Sequence, residues 1–254
     1  MEQRILTDRD LWMLIAAGNL NLRGANLEGA RLERANLEGA NLERAVLKGA
    51  RLAGASLRGA NLAGADLEGA DLKGADLIGA NLTEAYLKGA QLWGGYLEGA
   101  SLEWAFLEGA YLEWAYLKGA QLTGAYLKGA LMAGADLEGA YLKGANLTGA
   151  YLRGASLAGA YLEWATLEHA DAGTANLAGA DLKGAHLTGT SFAGADLTGA
   201  CLAGATLKGA DLAGASLAGA DLQGADLERA SLDGVRMGNG GPRESTAVEE
   251  GVGA

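Results

Sequence analysis

The sequence predicts an all-β fold, a quadrilateral β-helix of about eleven coils preceded by a short N-terminal helix. Three observations predict it. One residue class returns at every fifth position from Leu20 to Met237, without an insertion. Leucine occupies 40 of the 44 pentad centres that this register defines. Charged and polar side chains then alternate or repeat at a spacing of twenty residues.

Call the pentad centre i. It falls at Leu22, Leu27, Leu32 and so on to Met237, and only Met132, Ala172, Phe192 and Met237 are not leucine. Position i−2 is alanine in 40 of 44 pentads, the exceptions being Leu20, Gly95, Thr190 and Val235. Position i−1 is mostly polar, i+1 mostly charged, small or polar, and i+2 usually glycine. On an α-helix, steps of five would scatter the leucines round the whole surface. On a straight strand, an odd step would send successive leucines to opposite faces. A short extended segment that bends inward once per pentad buries all of them, and glycine at i+2 and alanine at i−2 suit that bend. Ala172, where the centre shrinks to a methyl beside Gly173, predicts a cavity or a strand irregularity.

The number of pentads per coil follows from cross-strand pairing. At a spacing of twenty, one column reads Glu28, Lys48, Glu68, Lys88, Glu108, Lys128, and another reads Glu98, Lys118, Glu138. A third stacks Asn21, Asn41, Asn61 and Asn81, and a fourth stacks Tyr86, Phe106 and Tyr126. Four pentads therefore close one coil, which makes a rod of roughly 53 Å at a strand spacing of ~4.8 Å.

Residues 1–19 form the N-terminal segment, 20–237 the repeat, and 238–254 a tail. Residues 7–17 are expected to be helical: Thr7 with Asp10 is a capping-box variant, Leu11, Trp12, Leu14 and Ile15 supply an apolar face, and Gly18 is a stop. Such a helix would lie over the first coil, since a solenoid's ends need covering. The tail, with Gly238-Asn239-Gly240-Gly241-Pro242 and then acidic residues, is expected to be disordered. That leaves Leu222, Leu227, Leu232 and Met237 of the last coil without a lid, a candidate end-to-end homodimer surface.

Composition removes several function classes. A net charge of −11 argues against direct binding of nucleic acid, which needs clustered Lys and Arg. No apolar run approaches a membrane span, and the stretch Leu11–Ala17 is too short and too acidic in its flanks for a secretory signal or a membrane anchor. Cys201, the single cysteine, has no internal disulfide partner and fits a reducing cytoplasm. His169 and His186 fall in different columns, so no metal site is expected. Cys201 has no basic neighbour in its pentad to activate a thiol. Glu103 and Glu163 share a column, but Thr123 and Lys143 separate them, so they cannot act as an acid/base pair. No phosphate-binding loop of the Gly-x-x-x-x-Gly-Lys-Ser/Thr type is present. A leucine-filled interior with flat outer faces offers no concavity for catalysis, so neither an enzyme nor a cofactor is expected.

The tandem run Ala-(Asn/Asp)-Leu-x-x across residues 20–237 resembles the pentapeptide repeat family. The resemblance implies a right-handed quadrilateral β-helix. It also implies non-enzymatic roles of several kinds. Some members imitate DNA and bind DNA gyrase, protecting it from quinolones or other topoisomerase poisons, and others are regulators that bind proteins. Some dimerise through their C-terminal ends. The expectation for this chain is a protein-interaction or structural scaffold with an unidentified protein partner, and a gyrase-directed DNA mimic is the alternative.

Two surfaces bear on that expectation. Thirteen of the 15 aromatic residues lie between Tyr86 and Trp164, at outward positions on all four faces, where stacking between coils accounts for most of them. Trp93, Tyr96, Tyr111, Trp114 and Tyr116 are more concentrated, on two adjoining faces of two successive coils, and form the candidate partner-binding patch. Charge is uneven as well: Gly59 to Met237 holds 21 acidic and 10 basic residues, with Asp181, Asp196, Asp211, Asp221 and Asp226 on the later coils. Duplex DNA of similar length would carry ~30 charges. The unbroken register also differs from the gyrase-protecting members that project loops from the coil.

Overall fold

The computed structural model describes residues 8–18 and 20–238. Its repeat is a β-helix solenoid. Forty parallel bridges run along it, each joining an i−1 residue to the residue twenty positions on, from Asn21↔Asn41 to Ser216↔Arg236. Twenty residues thus carry the backbone once round, and Asn41, Asn61 and Asn81 are vertical neighbours as the sequence spacing requires.

One pentad shows how the backbone polar groups are used. Leu52 N–H donates to the Asp71 carbonyl of the next coil at 2.7 Å, and Gly54 N–H to the Lys73 carbonyl at 2.9 Å. In the other direction, Asp71 N–H donates to Ala50 at 2.9 Å. Ala55 N–H closes a turn onto the Leu52 carbonyl at 2.9 Å. That leaves the N–H of i+1, and the side chain at i−1 accepts it: Asp71 Oδ1 takes the Lys73 amide at 3.2 Å. Seventeen Asn and Asp residues make this bond. An Asx turn that satisfies an otherwise unpaired donor gives the Asn/Asp preference its physical cause.

The corner residue i+2 has a positive φ throughout, between 56° and 70°. Glycine reaches this region without steric cost, which is why it dominates there. Among the described residues, nine corners are not glycine: Arg34, Arg44, Glu84, Trp104, Trp114, Trp164, His169, Thr174 and Arg229. Each of these carries a backbone cost of roughly 1 kcal/mol.

Leucine at i and alanine at i−2 point inward and are buried from Ala30 to Leu217, with few substitutions. At Ala172 the ladder continues undisturbed, with Ala172 N–H on Ser191 at 2.8 Å and Thr174 N–H on Ala193 at 2.8 Å. The expected strand irregularity does not occur, because the ladder needs only backbone groups. The register also places Phe192, the largest fully buried side chain, one coil above Ala172 in the same column. Its pentad holds the buried Thr190, whose hydroxyl donates to the Leu167 carbonyl at 2.7 Å.

At the N-terminal side, α1 spans Asp8–Ala16. Leu11 is buried in the leucine core, and Leu14 and Ile15 pack against it. Trp12, expected on the apolar face, is 41% exposed, and its Nε1–H donates to the Arg31 carbonyl at 3.1 Å. Gly18, at φ 72°, ends the helix as expected, and its N–H donates to Ile15 at 2.9 Å. Thr7 lies outside the described residues, as does the tail beyond Gly238 for which disorder is expected. Leu232 of the last coil is 48% exposed, and Leu222, Leu227 and Met237 are only partly buried.

Candidate partner-binding surface

Positions i−1, i+1 and i+2 face outward, so the faces of the rod are built entirely from them. Long side chains there have two directions to lean, along the column or across it. The Tyr86–Phe106–Tyr126 column leans along: ring centroids are 4.9 and 5.0 Å apart and the planes nearly parallel. Tyr141 and Tyr161 do the same at 4.8 Å. These rings stabilise neighbouring coils in the manner of any cross-strand aromatic pair.

The five residues of the candidate patch separate into three arrangements. Tyr96 stacks on Tyr116 at 5.2 Å. Trp114 turns up onto the next coil, where a β-carbon added at Gly134 would fall 2.6 Å from its ring. Trp93 and Tyr111 instead open a hollow of about 370 Å³, completed by Lys73, Gln91 and Glu113. Trp93 is 54% exposed and Trp114 62%, large values for indoles on a rigid scaffold. A second hollow of about 300 Å³ is lined by Glu84, Tyr86, Trp104, Phe106 and Tyr126.

Lys73, Gln91 and Glu113 were not singled out by composition or motif. The period of twenty contains the signal: Lys73, Trp93 and Glu113 form one column, and Gln91 and Tyr111 are bridged neighbours in another. Glu113 Oε2 is buried without a hydrogen-bond partner, and so are Glu98 Oε2 and Glu163 Oε2.

Part of the charge on the faces is paired. Lys48 reaches Glu68 at 2.7 Å, Lys118 reaches Glu138 at 3.0 Å, and Lys208 reaches Glu228 at 3.0 Å, all along columns. Arg51–Glu33 and Arg58–Asp76 pair diagonally at 2.7 Å. The hydrogen bond from Lys48, and then its charge, hold Glu68 below the usual carboxylate range. Such exposed pairs contribute little individually and mainly tie coils in register.

No group of His, Cys, Asp and Glu among the described residues is arranged to hold a metal ion. His169 sits over Gly189 of the next coil, Cys201 is half-buried, and Glu103 faces Thr83 at 3.5 Å. No helix among the described residues is long and apolar enough to cross a membrane.

The family model described as pentapeptide repeats matches the chain in 8 copies, over residues 21–59, 55–94, 96–134, 135–171, 175–212 and 200–239. No curated protein matches. Among solved structures, similarity is found to HetL, a pentapeptide repeat protein involved in heterocyst differentiation regulation in the cyanobacterium Nostoc sp. strain PCC 7120. The identity is 36%, over 92% of this chain and 98% of that chain, with a TM-score of 0.38. Another pentapeptide repeat protein of Nostoc PCC 7120, alr5209, is 39% identical over 41% of this chain and 84% of its own, with a TM-score of 0.38. QnrB1, a plasmid-mediated fluoroquinolone resistance protein, is 21% identical over 84% of this chain and 90% of its own, with a TM-score of 0.24.

Proposed function

The chain belongs to the pentapeptide repeat family, and on that premise we propose that it is a non-enzymatic scaffold that binds a protein partner through the aromatic band of Trp93, Tyr96, Tyr111, Trp114 and Tyr116. The observation that carries this reading is the exposure of Trp93 and Trp114 on a regular, rigid face, beside an open hollow. Large apolar rings held in place lose little entropy on binding and dominate interface energies. Tyr96 and Tyr116, stacked along their column, flank these indoles and hold that face in register.

The test is affinity capture from the native host with the wild-type chain and the Trp93→Ser/Trp114→Ser variant. Circular dichroism of both should match, because neither ring belongs to the core. The wild type should retain a partner that the variant loses. Capture by the variant at the wild-type level removes the band from consideration.

The assembly belongs to the same reading. We take the rod to be right-handed with eleven coils, as the family premise and the repeat length imply, and its cellular compartment to be the cytoplasm. Helix α1 serves as the N-terminal lid, since Leu11 is buried in the leucine core. At the opposite end, Leu222, Leu227, Leu232 and Met237 remain partly uncovered, and a second copy of the chain covers them. Light scattering at micromolar concentration should report a dimer; a monomer alone would remove this surface.

A gyrase-directed DNA mimic is the second reading, favoured by the excess of acidic residues from Gly59 onward. Column pairs such as Lys208–Glu228 weaken it by cancelling charge on the acidic coils themselves. Inhibition of gyrase supercoiling at low protein concentration would promote it over the first.

A further inference from the structure

Resting on the reading of this face as the partner surface, we propose that the hollow between Trp93 and Tyr111 receives the guanidinium of an arginine presented by the partner, with Glu113 as its counter-ion. The starting point is Glu113 Oε2, buried without a hydrogen-bond donor. A carboxylate oxygen withdrawn from water with nothing donating to it is unfavourable, and a donor supplied from outside relieves that cost.

Glu98 and Glu163 share this feature but not their surroundings. Glu98 has in its column Lys118, shared with Glu138 at 3.0 Å, and Glu163 lies between Lys143 and Lys183 in its column, whereas neither oxygen borders the hollow. The column neighbours of Glu113 are Trp93 and Ala133. The diagonal neighbour matters more. In the same column, Glu33 is paired with Arg51, eighteen residues on, through Nε at 2.7 Å. Arg153 and Asp171, also eighteen apart, pair across the same two columns with the charges exchanged and approach to 3.8 Å. Eighteen residues on from Glu113 stands Leu131, which has no donor to offer. Lys73, at the edge of the hollow, is engaged with Asp71 at 3.8 Å. These two columns therefore pair arginine with carboxylate diagonally, and Glu113 stands where Glu33 does without an arginine in the place of Arg51.

The walls select the cation. A guanidinium is planar, stacks on aromatic faces and presents forked donors to a carboxylate, whereas an ammonium is a compact point charge. Trp93 and Tyr111 supply the faces, Glu113 the carboxylate, and the Gln91 side chain a further acceptor. The net charge of −11 favours encounter with a basic partner.

N-acetyl-arginine amide and its neutral isostere N-acetyl-citrulline amide are suitable probes, titrated into the full chain at low salt. The readout is the indole N–H resonances. The Trp93 signal should move saturably with the arginine probe and not with citrulline. Glu113→Gln should weaken the response about tenfold, the loss of one charge-assisted bond. Leu131→Arg should place a guanidinium against Glu113 as Arg51 is placed against Glu33, and so abolish the response while preserving the circular dichroism spectrum. Equal responses to both probes, an unchanged affinity in Glu113→Gln, or equal movement of Trp104 in the other hollow each overturn the proposal. Because the probe is a small molecule, these results stand apart from partner capture. A band that captures its partner without arginine binding fails this proposal alone, and arginine binding without capture fails the band alone.

Discussion

The indole of Trp104 lies over Gly124, one coil on, so closely that a β-carbon added at Gly124 would overlap the ring. Trp114 and Gly134, Trp164 and Gly184, and His169 and Gly189 repeat the relationship. A large corner residue thus has its space provided by the glycine above it. The packing gained on the glycine backbone offsets the cost of holding a tryptophan at φ 59°.

This coupling has a measurable consequence. At Gly129, where a β-carbon would meet nothing within 4 Å, alanine incurs only the left-handed backbone cost, about 1 kcal/mol. Gly124→Ala should cost distinctly more, because the new methyl meets the Trp104 ring. Adding Trp104→Ser should return Gly124→Ala to the Gly129→Ala level. Denaturant midpoints of the two single variants and the double variant read the coupling directly. Additive effects would mean that the ring does not constrain Gly124.

The Asx turns give a residue-level prediction. Asn176 Oδ1 accepts the Ala178 amide at 3.0 Å. Asn176→Ala should speed hydrogen exchange at Ala178 while leaving Leu177, bonded to Asp196 at 2.7 Å, protected. Where tyrosine holds i−1, as at Tyr111, the side chain offers no carbonyl or carboxylate, so the Glu113 amide should exchange faster than that of Ala178 in the wild type. Destabilisation should be modest, about 0.5–1 kcal/mol, since the freed amide is near water. Equal exchange at Ala178 and Glu113 would discount the turn's contribution.

Much of this architecture could be read from residues alone. Leucine every fifth position fixes which side chains are internal, and the Tyr86, Phe106, Tyr126 spacing fixes which are stacked. The role of i−1 was less legible, because polarity alone does not say that Asn or Asp accepts the i+1 amide. The corners hid a second fact: Arg34 and Trp164 look like interruptions of the glycine pattern, yet the backbone there has the same positive φ. Bridges every twenty residues override local preference at those sites. The hollow at Trp93 was half legible. Its rings stood out by type, whereas Glu113 and Lys73 belong to it only through the twenty-residue column.

The column holding Ala172 and Phe192 predicts compensation within the core. Leu152 and Leu212 flank the two, so one undersized and one oversized residue replace a pair of leucines. Phe192→Leu should destabilise by about 1 kcal/mol through unfilled space, and Ala172→Leu by about 1–3 kcal/mol through overpacking. The double variant restores the leucine column and should be more stable than either single one. Thermal midpoints decide it; a double variant no better than the worse single one would show that the two sites pack independently.

Acid should loosen the rod through identifiable groups. The Thr198 hydroxyl, and after it the Thr198 amide, hold the Asp196 carboxyl below its ordinary value. The Glu228 amide, followed by Lys208, does the same for Asp226. A group whose folded value lies below its unfolded one stabilises fully above the unfolded value, and that stabilisation disappears as pH falls through the folded value. The thermal midpoint should therefore be level from neutrality to about pH 5 and decline below about pH 4. Lys48 and Lys208, raised by their bonds to Glu68 and Glu228, have the opposite sign: their contribution is intact below the ordinary lysine range and lost as pH rises beyond it. Thr198→Val removes the hydroxyl and keeps the amide, so Asp196 should titrate nearer its ordinary value and the acid decline should be smaller. Site-resolved titration of the Asp196 carboxyl carbon tests this, and an unchanged titration in Thr198→Val would assign the depression to the backbone instead.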